Sequence, residues 1–326
     1  MVSAGLAAYA DRVPLTTDVP AIAAAERSAV SGATLQRVLF LVLCFVWGTT
    51  WLGMKVGIAV VPPGVFAGTR WTVAGLALLL WRWANGQRLQ IPMRMTGRLV
   101  IVAVLMVSLN QVIQLYGLRF ITAGLAAVLS SALTPIALLG FAVGMGQDRF
   151  ALRHLLALAV GIAGIVVLFG PAAFACTLDG RELLGASGVI IGCLCYSAGS
   201  VMARPLMNSL APAQMAAMTN LIGGVILLVA SIVFEPGARA ALLHPWGWAA
   251  MLAWLYLLVP GSILSTVIYF LLVRDWGASR VGTYAFVSPV VAVVAGTVLF
   301  GERLDITDIA GMLLMLAAAG IVLRSN

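Results

Sequence analysis

The stretch SSALTPIALLGFAVGMGQDR (130–149) has a counterpart 154 residues further on, YAFVSPVVAVVAGTVLFGER (284–303). Pro135 and Pro289 fall at the same place in the two copies. Thirteen residues after each proline stands an acid followed by arginine, Asp148-Arg149 in the first copy and Glu302-Arg303 in the second. Both copies are long, apolar and charge-poor until that pair, as a bilayer-crossing helix of about 20 residues must be. A feature repeated at nearly half the length of a 326-residue chain points to internal duplication, a construction common among membrane carriers.

Composition sets the solvent. The chain is 62% hydrophobic and 9% charged, with a mean hydropathy of +1.08, so it reads as an integral membrane protein. The apolar runs continue for about twenty residues instead of alternating over about ten, which selects helices over a barrel. The net charge of +8 is carried by arginine, with Lys55 the one lysine. No basic cluster is interleaved with aromatics, so the charge reports topology and not a nucleic-acid partner. Cys44, Cys193 and Cys195 lie in apolar runs and Cys176 in a loop, a spacing that gives no disulfide and no metal site. No HExxH, no G-x-S-x-G and no buried acid pair is present, so no catalytic residue and no cofactor is expected; a membrane-embedded enzyme or a scaffold ranks low.

Residues 1–34 differ in kind, being rich in Ala, Ser, Thr and Pro, and read as a disordered cytoplasmic tail with a short helix near 21–30. Ten helical spans follow, at 38–58, 65–83, 99–118, 122–145, 153–170, 183–204, 214–234, 249–273, 279–300 and 307–323. With the N-terminus inside, thirteen arginines fall on the cytoplasmic side and four outside, which places both termini in the cytoplasm. Further matches support the duplication. Thr69-Arg70 pairs with Thr219-Asn220, Tyr116 with Tyr269, and the triplet Gly164-Ile165-Val166 with Gly320-Ile321-Val322, at offsets of 150, 153 and 156. Five helices per copy is an odd number, so the second copy enters the membrane upside down. The fold class is therefore all-α, ten transmembrane helices built as two inverted repeats, with a pathway near the midplane.

All eleven acids fall in the tail or the loops, which argues against coupling through a buried carboxylate. Lys55 and Arg70 are the basic groups within spans. They either snorkel to the outer interface or form a cationic pair for an anionic or zwitterionic solute. Pro135 and Pro289 free the carbonyls of Ser131 and Ala285 and serve as hinges; Pro260 has no proline partner in helix 3 and makes an extra one. The polar residues near mid-span that would line a pocket are Thr50, Asn110, Gln111, Gln114, Ser130, Ser131, Thr134, Ser197, Ser200, Asn220, Ser265, Thr266, Tyr284 and Ser288. The plainer reading of many of them is helix-to-helix hydrogen bonding. Trp47, Trp51 and Tyr196 would form an aromatic wall, while Trp246, Trp248 and Trp254 suit an interfacial belt. Gly140-xxx-Gly144 and Gly188-xxx-Gly192 suit close backbone packing in a monomer or a weak homodimer. Asp148-Arg149 and Glu302-Arg303 are gate candidates whose ion pairs break as each side opens; exposed pairs of this kind are otherwise worth little.

Four stretches give the chain a family likeness: WGTTWLGMKVG (47–57), PPGVFAGTRWTVAG (62–75), GLRFITAGLAAVLSSALTPIALL (117–139) and SPVVAVVAGTVLFGERL (288–304). Taken in order they resemble the drug/metabolite transporter superfamily with two EamA-type repeats, over about residues 35–324. The resemblance implies repeats at 35–172 and 180–324 and a bacterial inner-membrane carrier that exports amino acids or other small metabolites. Trp47, Lys55, Arg70, Pro135, Pro289 and Glu302 match its pattern, whereas GMGQDR (144–149) departs from the Gly-Glu-Arg expected there. Lipophilic-drug efflux is the alternative; a proton/cation antiporter would want an acid in helix 1, where this chain has Lys55.

Overall fold

The computed structural model describes residues 19–87, 90–149, 151–174, 180–300 and 305–323. The chain divides into two units, Met1–Leu41 and Val42–Asn326. In the first, the backbone is helical from Val19, which takes in the short helix expected near 21–30 and runs on without a break into the first span. Its Ala, Arg and Glu content over 21–30 favours helix locally.

Ten long helices are present among the described residues, and no strand. They are α1 (Val19–Ile58), α2 (Pro63–Ala84), α3 (Met93–Gly117), α4 (Ala123–Gly144), α5 (Leu152–Phe174), α6 (Gly180–Ala203), α7 (Pro212–Phe234), α8 (Trp248–Trp276), α9 (Tyr284–Phe300) and α10 (Ile306–Leu323). Eight are long and apolar enough among the described residues to cross a membrane, and α5 and α9 complete the set. Local chemistry sets several starts. Pro63 and Pro212 each sit at the first position of their helix, where a missing N–H costs nothing. Thr122 caps α4 by accepting from the Leu125 N–H at 3.1 Å.

The inverted repeat is visible as reciprocal packing. Helices α2 and α7 cross antiparallel at two glycines: a Cβ on Gly75 would stand 2.3 Å from the Leu221 nitrogen, and one on Gly224 would stand 2.4 Å from the Thr72 nitrogen. Gly75 and Gly224 are equivalent in the two copies, so each helix presents its small residue to the other across the pseudo-twofold axis. Backbones this close gain dispersion contacts that lipid tails cannot match. In the same way α3 packs on α6 through Gly117, Gly185, Gly188 and Gly192, and α8 packs on α1 through Gly53 and Leu257. Gly140 and Gly144 face open space instead, so the small-residue pattern in α4 is not a packing seam in this chain.

Two π-helical segments interrupt the bundle, Val104–Leu109 in α3 and Leu257–Leu264 in α8. They occupy equivalent places in the two copies. Pro260 lies in the second, and the first forms without a proline, so the duplication is closer in backbone than in sequence. Tyr116 and Tyr269 are less alike: the former reaches Glu235 at one end of the bundle, and the latter is buried at its centre. Trp246 and Trp254 pack inward, the latter donating to Thr69 Oγ1 at 3.1 Å, while Trp248 is exposed.

One end of the bundle gathers arginines. There Arg82 donates to Gln214, Arg204 to the Gln147 carbonyl and Arg280 to the Leu323 carbonyl. The opposite end carries Lys55 and a tie around Glu235. Its carboxylate accepts from the Gly64 N–H, the Tyr116 hydroxyl at 2.7 Å and Ser231, joining α2, α3 and α7.

Candidate functional site

A cavity of about 130 Å³ lies among helices from both copies. Three kinds of side chain build it. From α1 come Trp47, Thr50, Trp51 and Met54, one face of the helix at three- and four-residue spacing. From α3, at and just beyond its π-helical segment, come Met106, Asn110, Gln111 and Gln114. The π turn shifts the register of that face, which turns three amides toward the same space. Arg70, Trp71, Ser130, Thr134, Cys193, Tyr196, Gly261 and Tyr284 close the wall.

Arg70 dominates the electrostatics. It is 3% exposed, and its Nη2 donates to Gln111 Oε1 at 2.6 Å. The guanidinium lies 4.8 Å from the centre of the Trp71 ring, within cation–π range. Its Nε is buried without a partner, as are Trp71 Nε1 and Asn110 Oδ1 on the same wall. No carboxylate lines the cavity among the described residues. Two donors and one acceptor are therefore unspent beside a buried positive charge, and each costs stability while it lacks a partner.

Aromatic rings form one wall. Trp47 meets Tyr284 edge-on at 4.6 Å between ring centres, Tyr269 at 5.1 Å and Tyr196 at 6.1 Å. Tyr269 in turn pairs its hydroxyl with Ser200. The ring cluster stands between the cavity and the Ser200 region.

The expected site residues fall into two groups. Trp47, Thr50, Trp51, Arg70, Asn110, Gln114, Thr134, Tyr196 and Tyr284 line the cavity, as do Gln111 and Ser130. Five others lie elsewhere. The Lys55 ammonium donates to the carbonyls of Leu118 and Ile121, at 2.5 and 2.7 Å, and so ties α1 to the end of α3. The pairing of Lys55 with Arg70 is thus replaced by a helix-end cation on free carbonyls, which sequence spacing could not anticipate. Ser131 is buried beside the lining pair Ser130 and Thr134. Ser200 serves Tyr269, Ser265 donates to the Pro260 carbonyl at 2.7 Å, and Ser288 packs its backbone on Gly48. Met54, Trp71, Met106, Cys193 and Gly261 line the cavity without having been singled out. Helical spacing from Trp47 and Trp51 would have found Met54, while Cys193 and Gly261 needed the tertiary structure.

The hinge candidates sit inside helices: Pro135 in α4, Pro289 in α9 and Pro260 in the π segment of α8. Of the gate candidates, Asp148 accepts from the Arg149 N–H and lines a polar recess of about 140 Å³ with Gln147, Arg204, Trp276 and Ser279 at the arginine-rich end. Arg149 is exposed. Glu302 and Arg303 lie outside the described residues. Among the described residues no group of three metal-ligating side chains gathers.

A family model described as the EamA-like transporter family matches residues 36–170 and again 183–324. The chain is 31% identical to the uncharacterized inner membrane transporter YedA of Escherichia coli (strain K12), covering 81% of this chain and 82% of that one. It is 26% identical to the uncharacterized transporter YoaV of Bacillus subtilis (strain 168), over 83% and 90%, and 22% identical to the protein PagO of Salmonella typhimurium, over 89% and 95%. A solved crystal structure superposes with a TM-score of 0.71 at 16% identity, covering 88% of this chain and 96% of the other, a likeness of fold.

Proposed function

Since the chain belongs to the EamA-like transporter family, we propose that it is a secondary transporter of the bacterial inner membrane, with both termini cytoplasmic, that exports amino acids or related small metabolites by alternating access. Buried Arg70 carries the reading. A solute carboxylate would receive charge-assisted hydrogen bonds from its guanidinium and a further one from Trp71 Nε1. Trp47, Trp51 and Tyr284 would take the apolar part of the solute, and Asn110 Oδ1 would accept from an ammonium. A zwitterionic or anionic metabolite fits this set; a cation would meet the guanidinium with nothing to offset it.

The repeats at 35–172 and 180–324 would rock about the cavity. Pro135, Pro260 and Pro289 would absorb the bending, and Asp148-Arg149 and Glu302-Arg303 would mark the moving ends. Counterflow in proteoliposomes tests the reading, with a panel of amino acids and organic acids. Uptake of a zwitterionic or anionic solute that Arg70→Ala removes supports it. Uptake confined to lipophilic cations would overturn it in favour of drug efflux.

A further inference from the structure

The stretch GMGQDR (144–149), which departs from the Gly-Glu-Arg pattern, ends α4 and turns the chain back on itself. Gly146 takes the left-handed conformation at φ +67°, and the N–H groups of Gln147 and Asp148 return to the Ala142 carbonyl at 2.8 and 3.2 Å. The turn is tied to α6. Gln147 Nε2 donates to the Val201 carbonyl at 2.8 Å, and the Gln147 carbonyl accepts from Arg204 Nη1 at 3.4 Å. The connection between α8 and α9 closes the other side. There Gly277, at φ +85°, lies against the Arg204 guanidinium, and a Cβ on it would stand 3.4 Å from the guanidinium carbon.

These segments enclose the polar recess of about 140 Å³ at the arginine-rich end. One water needs about 10–15 Å³, so the recess has room for a small solute. Asp148 and Arg204 both line it, yet they do not pair with each other; among the described residues the ion pair is that of Arg274 with Asp275. Asp148 takes a hydrogen bond from the Arg149 N–H, and Arg204 gives the long one to Gln147. A carboxylate has two accepting oxygens and a guanidinium five N–H donors, so both keep capacity in hand. Two further atoms of lining residues, Gln147 Oε1 and Ser279 Oγ, are buried with no partner. Opposite charges that face one space and are held apart by a tied turn complement a molecule that carries both charges itself.

We propose that this recess is a second solute site, which binds a zwitterion of amino-acid size with its carboxylate on Arg204 and its ammonium on Asp148. Ser279 Oγ adds a donor to the carboxylate, and Gln147 Oε1 adds an acceptor to the ammonium. A simple anion meets Asp148 and a simple cation meets Arg204, so the recess selects for the pair of charges. It shares no lining residue with the central cavity. The site goes beyond the transport reading, since binding there requires no movement of solute across the membrane.

Thiol protection in the full chain, with its four native cysteines replaced by alanine and Ser279→Cys added, tests the site. The reagent is methyl methanethiosulfonate, and the probes are alanine, lactate, which lacks the ammonium, and ethylamine, which lacks the carboxylate. Alanine titrated toward saturation is expected to slow labelling at least about tenfold, and the other two are not. Asp148→Asn should bring lactate level with alanine, and Arg204→Gln should abolish the protection by alanine. Ala142→Cys, also on the recess wall, is the second reporter should the first variant fail to fold. No protection at either position, or equal protection by all three probes, overturns the proposal. Arg70→Met in the same background separates the recess from the central cavity. Protection that persists there belongs to the recess; protection that Arg70→Met removes and Asp148→Asn keeps belongs to the central cavity and overturns the proposal. Counterflow reads transport separately: a wild-type chain that moves no solute refutes the transport reading and leaves the labelling result standing.

Discussion

Arg70 and Gln111 meet at 2.6 Å on the cavity wall, the guanidinium Nη2 donating to the amide oxygen, and no carboxylate among the described residues lines that wall. A neutral amide satisfies one donor and leaves the charge unbalanced. The protein thus keeps a buried cation with no carboxylate beside it on the cavity wall among the described residues.

Replacing that cation separates stability from function. Arg70→Met is expected to raise the melting temperature in detergent, because an unbranched apolar side chain that follows most of the arginine stem removes an unpaired buried charge, an exchange worth up to about 1–4 kcal/mol in favourable cases. The same variant is expected to lower carboxylate-solute uptake by at least about tenfold, from the loss of a charge-assisted contact. Thermal melts and counterflow on one preparation check both. A variant that melts lower yet transports normally would show Arg70 to be structural.

Lys55 predicts the opposite pattern. Its ammonium holds two carbonyls at the end of α3 and lies off the cavity. Lys55→Ala should lower stability by about 1–3 kcal/mol through the loss of their donor. Solute selectivity should stay unchanged, as read from the rank order of competitors in counterflow. An altered rank order would return Lys55 to the binding site.

The helix crossing supplies a matched pair. Gly75→Leu should cost about 3 kcal/mol or more, because the added Cβ meets the Leu221 backbone, which cannot rotate away. Gly140→Leu should be silent, since nothing stands within 4 Å of a Cβ there. Chemical or thermal denaturation of the two variants side by side decides whether the α2–α7 crossing holds the repeats together.

Trp47 touches three tyrosines at ring-centre distances of 4.6 to 6.1 Å. Trp47→Ala removes that packing and widens the cavity toward Ser200. Competition in counterflow should then show bulkier aromatic solutes gaining at least about tenfold over small ones, a difference of about 1.4 kcal/mol. An unchanged size preference would mean that the ring cluster does not bound the solute.

The sequence by itself determined the membrane, the helices and the duplication. Apolar content, run length and the offset between Pro135 and Pro289 are one-dimensional quantities, and each constrains the backbone directly: in lipid every peptide group must bond within its own helix. Arg70 could be picked out for the same reason, since a charge in an apolar span stands out in any window. Tertiary structure decided where the side chains look. Lys55 and Arg70 are both cations near helix ends, yet one serves the Leu118 and Ile121 carbonyls and the other faces the cavity. That difference is set by the rotation of α1 and α2 in the packed bundle, and the π turn at Val104–Leu109 brings Asn110, Gln111 and Gln114 to the side that Arg70 faces. Ser200, Ser265 and Ser288 show the same limit: their polarity was legible, but only the packed bundle set them on Tyr269, the Pro260 carbonyl and the Gly48 backbone, off the cavity.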